Sequence, residues 1–373
     1  GLDWFSPKRD AERTGAGAAS NINGSAESDS NNFFIPELGY NRMLNPDTSI
    51  GITVYANGGM NTDYPNGQIT SASGVGTCNN FLTMGGQTTA TSHNLLCGTS
   101  RLGVDLMQVV VAPTVAYKIT PNHAFGISPL IGYQRFKAEG LQGFAAYSED
   151  RYNLTNNDYD TASGLGLRVG WMGKITDMVT LGAAYSTKIY MSRFEKYKGL
   201  FAEDGDFDMP ENYNAGIAVR PFKPLILALD YQRINYSGVQ AVGNSSKNGG
   251  SAIANTLGGD NDRGFGWKDI DVWKIGLSYQ LSDLLTLRGG YSHSDNPIQS
   301  QDVTFNILAP GVIKDHYTAG VSFKVSKSSE LTLSYMHAKN NSVTGSSLFN
   351  DFGVAAGNEK IKMHQNSLGL AFG

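Results

Sequence analysis

The amino-acid sequence predicts an all-β protein: a transmembrane, antiparallel, up-and-down β-barrel of about fourteen strands, with long extracellular loops and short periplasmic turns. Three observations carry this reading. Apolar and polar side chains alternate with a period of two along most of the chain. The connections between these segments are alternately short and long. The faces opposite the apolar ones are built from Gly, Ser, Thr and isolated charges rather than the dense Lys and Glu of a soluble surface.

The alternation is plainest in DVWKIGLSYQLSDLLTLRGGYSH (271–293), where Trp273, Ile275, Leu277, Tyr279 and Leu281 share one face and Lys274, Gly276, Ser278 and Gln280 the other. Comparable segments lie near 1–9, 31–43, 48–58, 104–119, 123–136, 162–175, 178–193, 211–222, 225–236, 270–281, 284–294, 315–326, 330–339 and 362–372. Short turns fall at Asn45-Pro46-Asp47, Pro121-Asn122, Asp177, Lys223-Pro224, Ser282-Asp283 and Lys327-Ser328-Ser329. Long segments lie between them, at 10–30, 59–103, 137–161, 194–210, 237–268, 295–314 and 340–361. The two kinds interleave as an even-stranded barrel requires, with both termini on the short-turn side and residues 1–373 forming one domain.

Which face meets lipid follows from what shares it. Leu165, Leu167, Val169 and Trp171 oppose Gly164, Gly166, Arg168 and Gly170, while Tyr317, Val321, Phe323 and Val325 oppose Thr318, Gly320, Ser322 and Lys324. The apolar faces carry aromatics near one end, where a membrane–water girdle places them. A slip of one residue would send Arg168, Lys274 and Arg288 into lipid at roughly 2–4 kcal/mol each, so the register is tightly specified. A lumen this wide is not filled by its own strands' side chains.

Composition removes other classes. A net charge of −4 over 373 residues gives no basic footprint for nucleic acid. The longest apolar run, 106–117, is interrupted by Gln108 and Pro113 and is too short for a membrane helix. The first residue is Gly1, so the chain reads as processed or trimmed and its start is silent about secretion. Cys78 and Cys97 lie in a polar loop, where free thiols are unusual, so a disulfide and an oxidising compartment are expected. Closing that loop is worth roughly 3 kcal/mol in the chain-entropy model. The six His lack metal-ligand spacing, and His293-Ser294-Asp295 places triad residue types on opposite faces of a strand. The acidic run at 203–211 lacks the spacing of a calcium loop. No cofactor and no catalytic residue is expected.

The segments FFIPELGYNRML (33–44), SIGITVYANGGMNTDYP (49–65), KDIDVWKIGLSYQLSDLLTLRGGYSHSDNPI (268–298) and HYTAGVSFKVSKSSELTLSYMHA (316–338) resemble the FadL-type outer-membrane transporters. That family takes long-chain fatty acids, and in some members toluene-like hydrocarbons, across the bacterial outer membrane. The resemblance implies an integral outer-membrane location, contact with outer-membrane lipid and lipopolysaccharide, a hydrophobic small-molecule ligand, no enzymatic activity and a monomer. It also implies a hatch before the first strand. Leu2 and Trp4 already read as strand one, so the hatch is expected outside this numbering, and Phe372 followed by Gly373 suggests a residue or two beyond the end.

Transport in such a family is passive. A ligand lands on a greasy groove of extracellular loops, enters the barrel, and leaves sideways by a kinked third strand, spared roughly 0.8 kcal/mol of water exposure per CH₂. Two features match. Asn57, Gly58 and Gly59 stand where the third strand's alternation fails, which marks either a bend or the strand's end, and the resemblance favours the bend. Leu141, Phe144, Tyr147, Phe194, Tyr197, Leu200 and Phe201 are strongly apolar for exposed loops. They form a binding patch, or two loops packed on one another, and a groove with packed walls would be both. For a carboxylate ligand the inward cations are Arg168, Lys274, Arg288 and Lys324; one or two are expected to touch it, the rest being balanced by Asp230 and Glu37. The competing readings are a polar-solute porin and, behind it, an outer-membrane hydrolase.

Overall fold

The computed structural model describes residues 1–70, 74, 76–250 and 255–373. Fourteen membrane-crossing segments are present among them: β1 (Leu2–Thr14), β2 in three pieces (Gly24–Glu27, Phe33–Pro36, Leu38–Met43), β3 (Thr48–Tyr64), β4 (Leu102–Thr120), β5 (His123–Glu139), β6 (Asp160–Lys174), β7 (Val179–Ser186), β8 (Asn212–Phe222), β9 (Leu225–Ile234), β10 (Ile270–Gln280), β11 (Leu285–Ser294), β12 (Asp315–Lys324), β13 (Glu330–Ser346) and β14 (Asn358–Phe372). Each pairs antiparallel with the next, and β14 returns to β1 from Leu2↔Leu370 to Thr14↔Asn358. The ring closes, so that no strand is left with a free edge along its whole length.

The seam between first and last strands is pinned by a buried ion pair. Arg13 Nε donates to Glu359 Oε1 at 2.9 Å, and both side chains are fully buried. Glu359 also accepts from Ser347 and Thr304, so its lone pairs are used.

The strands are longer than their alternation suggests. β1 continues to Thr14, β2 begins at Gly24, β3 reaches Tyr64 and β13 reaches Ser346. The reason is an inversion of pattern above the membrane. In β1, Leu2 and Trp4 face outward below, whereas Lys8, Asp10 and Glu12 share that face above and Ala11 and Arg13 are buried behind them. A search for one continuous greasy face stops at the interface. β7, by contrast, ends at Ser186 rather than 193, because Thr187 turns its hydroxyl to the Leu167 amide and the chain rejoins β6 only at Tyr190–Met191.

Height is uneven around the ring. β13, β14 and β3 to β6 hold 15 to 19 residues each, apart from the interrupted β2 and the 13-residue β1. β7 holds 8, and β8 to β12 hold 10 or 11.

The apolar core does not lie between sheets. It lies inside the outer half of the barrel, where the extracellular connections fold inward and bury Phe81, Phe144, Phe194, Leu308 and Phe349 against the luminal faces of β4 and β5. Trp273, Ile275 and Leu277 point away from that core, are about half exposed and form the lipid-facing surface. Leu277→Arg should therefore cost about 2–4 kcal/mol of unfolding free energy, against less than about 1 kcal/mol for Gly276→Lys on the luminal face. Denaturant titration of the barrel in phospholipid bilayers measures both.

Candidate functional site

The apolar loop residues meet in one place. Leu141, Phe144, Tyr147, Phe194, Tyr197 and Phe201 are all at most 4% exposed, and Leu200 packs against them, so they form no exposed patch. They are buried because their loops fold over the lumen and cover one another. Phe136 of β5 anchors the group, with its ring 4.8 Å from those of Tyr197 and Phe201 and 5.5 Å from that of Phe194. Phe144 stacks in turn on Phe349 and meets Phe305 edge-on at 5.3 Å.

These walls enclose an apolar cavity of about 30 Å³, lined by Leu141, Phe144, Leu200 and Phe201 together with Phe265, Phe305, Leu308 and Arg263. Arg263 is 2% exposed and donates to Thr256 Oγ1 and to the Ser246 and Gly250 carbonyls, with no carboxylate in salt-bridge range among the described residues. Burial pulls its guanidinium below the ordinary value, against the pull of Asp351, Tyr147 and Asp262.

A second feature lies in the wall. β2 and β3 pair from Leu38↔Val54 to Met43↔Ser49, and their backbones meet again where the Asp29 amide donates to the Asp63 carbonyl, beside the Ser30 hydroxyl's bond to the Asn61 side chain and the Asp63 amide's to the Ser28 hydroxyl. Between these points, residues 30–37 and 55–62 have no ladder, a break on the order of 25 Å along the strand at ~3.3 Å per residue. Two prolines explain it. The Glu37 amide donates to the Gly1 carbonyl, so odd residues of this piece point their backbone at β1 and even ones, Pro36 included, at β3. Pro36 has no N–H to offer there. Likewise the Arg9 carbonyl accepts from Ser28, which turns Pro7 toward β2 where β2 leaves the sheet.

On β3 the register against β4 shifts between Ala56 and Gly58, leaving Asn57 as the extra residue of a bulge. Beyond it the faces exchange, so Asn61 and Asp63 point outward. Gly59 is needed for the close approach of β4, since a Cβ there would stand 2.8 Å from the Leu106 carbonyl oxygen. The upper edge of the break is clasped by Arg101, whose Nη2 lies 2.5 Å from Asp29 and Nε 2.6 Å from Asp63. Phe34, on the lower part, faces lipid and is 70% exposed.

A polar chain links the two features. Asn57 donates to Gln108 at 3.4 Å, Gln108 to Gln134 at 2.9 Å, and Gln134 to the Phe207 carbonyl at 2.7 Å. The Phe207 ring packs 4.8 Å from Phe201 on the cavity wall.

A family model described as outer membrane protein transport protein (OMPP1/FadL/TodX) matches residues 78–371. The chain belongs to this family. The barrel also resembles solved structures of the toluene transporter TodX of Pseudomonas putida (TM-score 0.63, 18% identity, 100% of this chain and 87% of that one). It is similar as well to the toluene transporter TbuX of Ralstonia pickettii (0.55, 17%, 98% and 88%). A FadL homologue of Pseudomonas aeruginosa gives 0.57 at 13% identity over 98% and 88%. No curated protein matches. As a member of the FadL/TodX family the chain is a β-barrel of the bacterial outer membrane, and the family's proteins are transport channels.

The four luminal cations of this FadL/TodX-family barrel are dispersed. Arg168 reaches from β6 to the Tyr55 hydroxyl at 2.8 Å, at the foot of the break, and to Ser186. Lys274 donates to Gln232 at 3.1 Å and stands opposite Asp230 in register. Arg288 pairs with Glu330 at 3.4 Å and Lys324 stands opposite Glu330. Glu37, expected to balance them, accepts from the Gly1 nitrogen through its carbonyl. Cys78 and Cys97 are joined, at the start of α1 (Cys78–Met84) and just after Leu96. Arg263, Phe305 and Leu308 escaped sequence reasoning, although FNILAPGVI (305–313) is as apolar as the loops that were singled out.

Beside the cavity, Asp206 is pushed up to about 7 from 3.8 by burial first, then by Asp208 and Glu203, with Lys188 opposing. Its folded carboxyl holds its proton more tightly than the unfolded one, so the stability it gives is full below 3.8 and is lost as pH rises to about 7. Hydrogen exchange of residues 187–211 should accelerate across that window, and Asp206→Asn should flatten the profile.

Proposed function

We propose that this barrel carries hydrophobic compounds, long-chain fatty acids or related hydrocarbons, passively across the outer membrane, taking them up through its extracellular loops and releasing them sideways beside β3. The observation that carries this reading is the break between β2 and β3. In lipid each unpaired backbone group costs several kcal/mol, so a closed barrel has reason to pair every strand fully. A break built from two prolines, a bulge and a glycine, with Phe34 projecting into lipid beside it, suits a passage for an apolar molecule.

The cavity supports the entry step. At about 30 Å³ it is well short of the ~150 Å³ apolar site that admits benzene, so a ligand enters by parting Phe201, Leu200 and Phe305. Arg263 offers a carboxylate end something to pair with, while the remaining wall suits a hydrocarbon. The toluene transporters that the barrel resembles carry cargo of this kind. Below the loops, an open luminal recess of about 670 Å³ lined by Tyr55, Arg168 and Glu330 adjoins the foot of the break.

The test is to bridge the break. Ile35→Cys with Gly58→Cys, joined by a thiol-cleavable bis-methanethiosulfonate, should stop uptake of oleate and of toluene into cells, and cleavage should restore both. Uptake that persists with the bridge in place excludes sideways release. Rapid entry of sugars into liposomes carrying the unmodified protein would instead favour a polar-solute porin.

A further inference from the structure

Arg9 and Arg13 lie on the same inward face of β1, two rungs of alternation apart, and both are buried, at 5% and 1% exposure. Arg13 presents the Nε–Nη2 side of its guanidinium to Glu359, the side on which two N–H groups run parallel. Arg9 has no such partner. Its Nη1 donates to the Asn61 carbonyl on β3, while Nε and Nη2 have none, and no carboxylate lies within salt-bridge range among the described residues. A buried guanidinium with its fork unused is costly and asks for an anion.

Its position says which anion. By donating to Asn61, Arg9 reaches from β1 past the detached stretch of β2 to β3, just inside the upper part of the break. Its guanidinium lies 5.8 Å from the centroid of the Phe33 ring, whose neighbour Phe34 projects into lipid. Phe5 packs 6.3 Å from Phe33 on the luminal side. A buried cation with a planar fork, lying over the Phe33 ring one residue from the lipid-facing Phe34, is shaped for a carboxylate on an apolar tail.

We infer that Arg9 is a binding residue at the wall break, taking the carboxylate of a single-chain amphiphile bidentately while its tail lies across Phe33 toward the outer leaflet. This rests on the sideways release proposed above and narrows the cargo, since a neutral hydrocarbon gains nothing from the fork. Arg9→Lys keeps the charge but loses the fork, and Arg9→Gln loses both.

The test compares oleate with oleyl alcohol, which share a tail. In Arg9→Gln, oleate uptake should fall about tenfold with oleyl alcohol within twofold of the unmodified protein, and Arg9→Lys should fall between. Equal losses for both ligands, or no loss for either, overturn the assignment. A second readout does not depend on route: the carboxyl signal of ¹³C-labelled oleate bound to the purified barrel in nanodiscs should shift on Arg9→Gln. If the bridged barrel still transports oleyl alcohol, sideways release fails, whereas this carboxyl shift stands or falls by itself. Displacement of the labelled oleate by hexadecyl phosphate but not by palmitate would assign the site to a phosphate-bearing lipid and overturn the carboxylate.

Discussion

An amide or carbonyl facing hydrocarbon has no water to turn to, and this single constraint organises the molecule. It is why the sheet closes through thirteen residue pairs between β1 and β14, and why that seam carries a fully buried ion pair with every acceptor in use. It is also why the interruption between β2 and β3 is informative. Pro7 and Pro36 are the residues of this region that cannot donate, and each is turned toward the neighbour it leaves unpaired. The sheet is opened by subtracting donors at two positions rather than by disorder.

The outer half of the barrel behaves as a second structure inside the first. Loops from five long connections bring Phe81, Phe144, Phe201, Phe305 and Phe349 together, and the core so made is closed by aromatic edges rather than by strands. Its mechanical tie to the wall is polar. The run from Asn57 through Gln108 and Gln134 to the Phe207 carbonyl crosses three strands and ends one ring from the cavity, so the bulge and the cavity wall share one hydrogen-bonded network. Removing a member of such a buried chain leaves its neighbours unsatisfied, which ties the geometry at one end to the geometry at the other.

Much of this was legible in the chain itself. The alternation of Trp273, Ile275 and Leu277 with Lys274 and Gly276 specifies face, register and lipid exposure together, because the period of two admits no intermediate choice. Short turns such as Ser282-Asp283 mark one rim for the same reason, and the failed alternation at Asn57-Gly58-Gly59 marks the bulge. Burial in the loops was not legible. Phe194 or Leu141 has no periodic partner to say whether it faces water or another loop, and the same holds for Phe305 and Leu308, which line the cavity. The Arg101 clasp and the Gln108–Gln134 link join positions far apart in sequence, which spacing does not encode. Strand ends above the membrane were hidden because the outward face changes there from Trp4 to Lys8, Asp10 and Glu12.

The uneven height of the ring has a mechanical side. A cylinder pierced in its wall is weakest at the hole, and it is stiffened by making the wall deeper on either side. β3, β4, β13 and β14, with 15 to 19 residues each, stand around the interrupted strand, while the strands across the barrel stop at 8 to 11. The added rungs above the membrane act as a collar that carries load past the gap. The unpaired stretch of β2 and β3 is thus flanked by the tallest part of the ring.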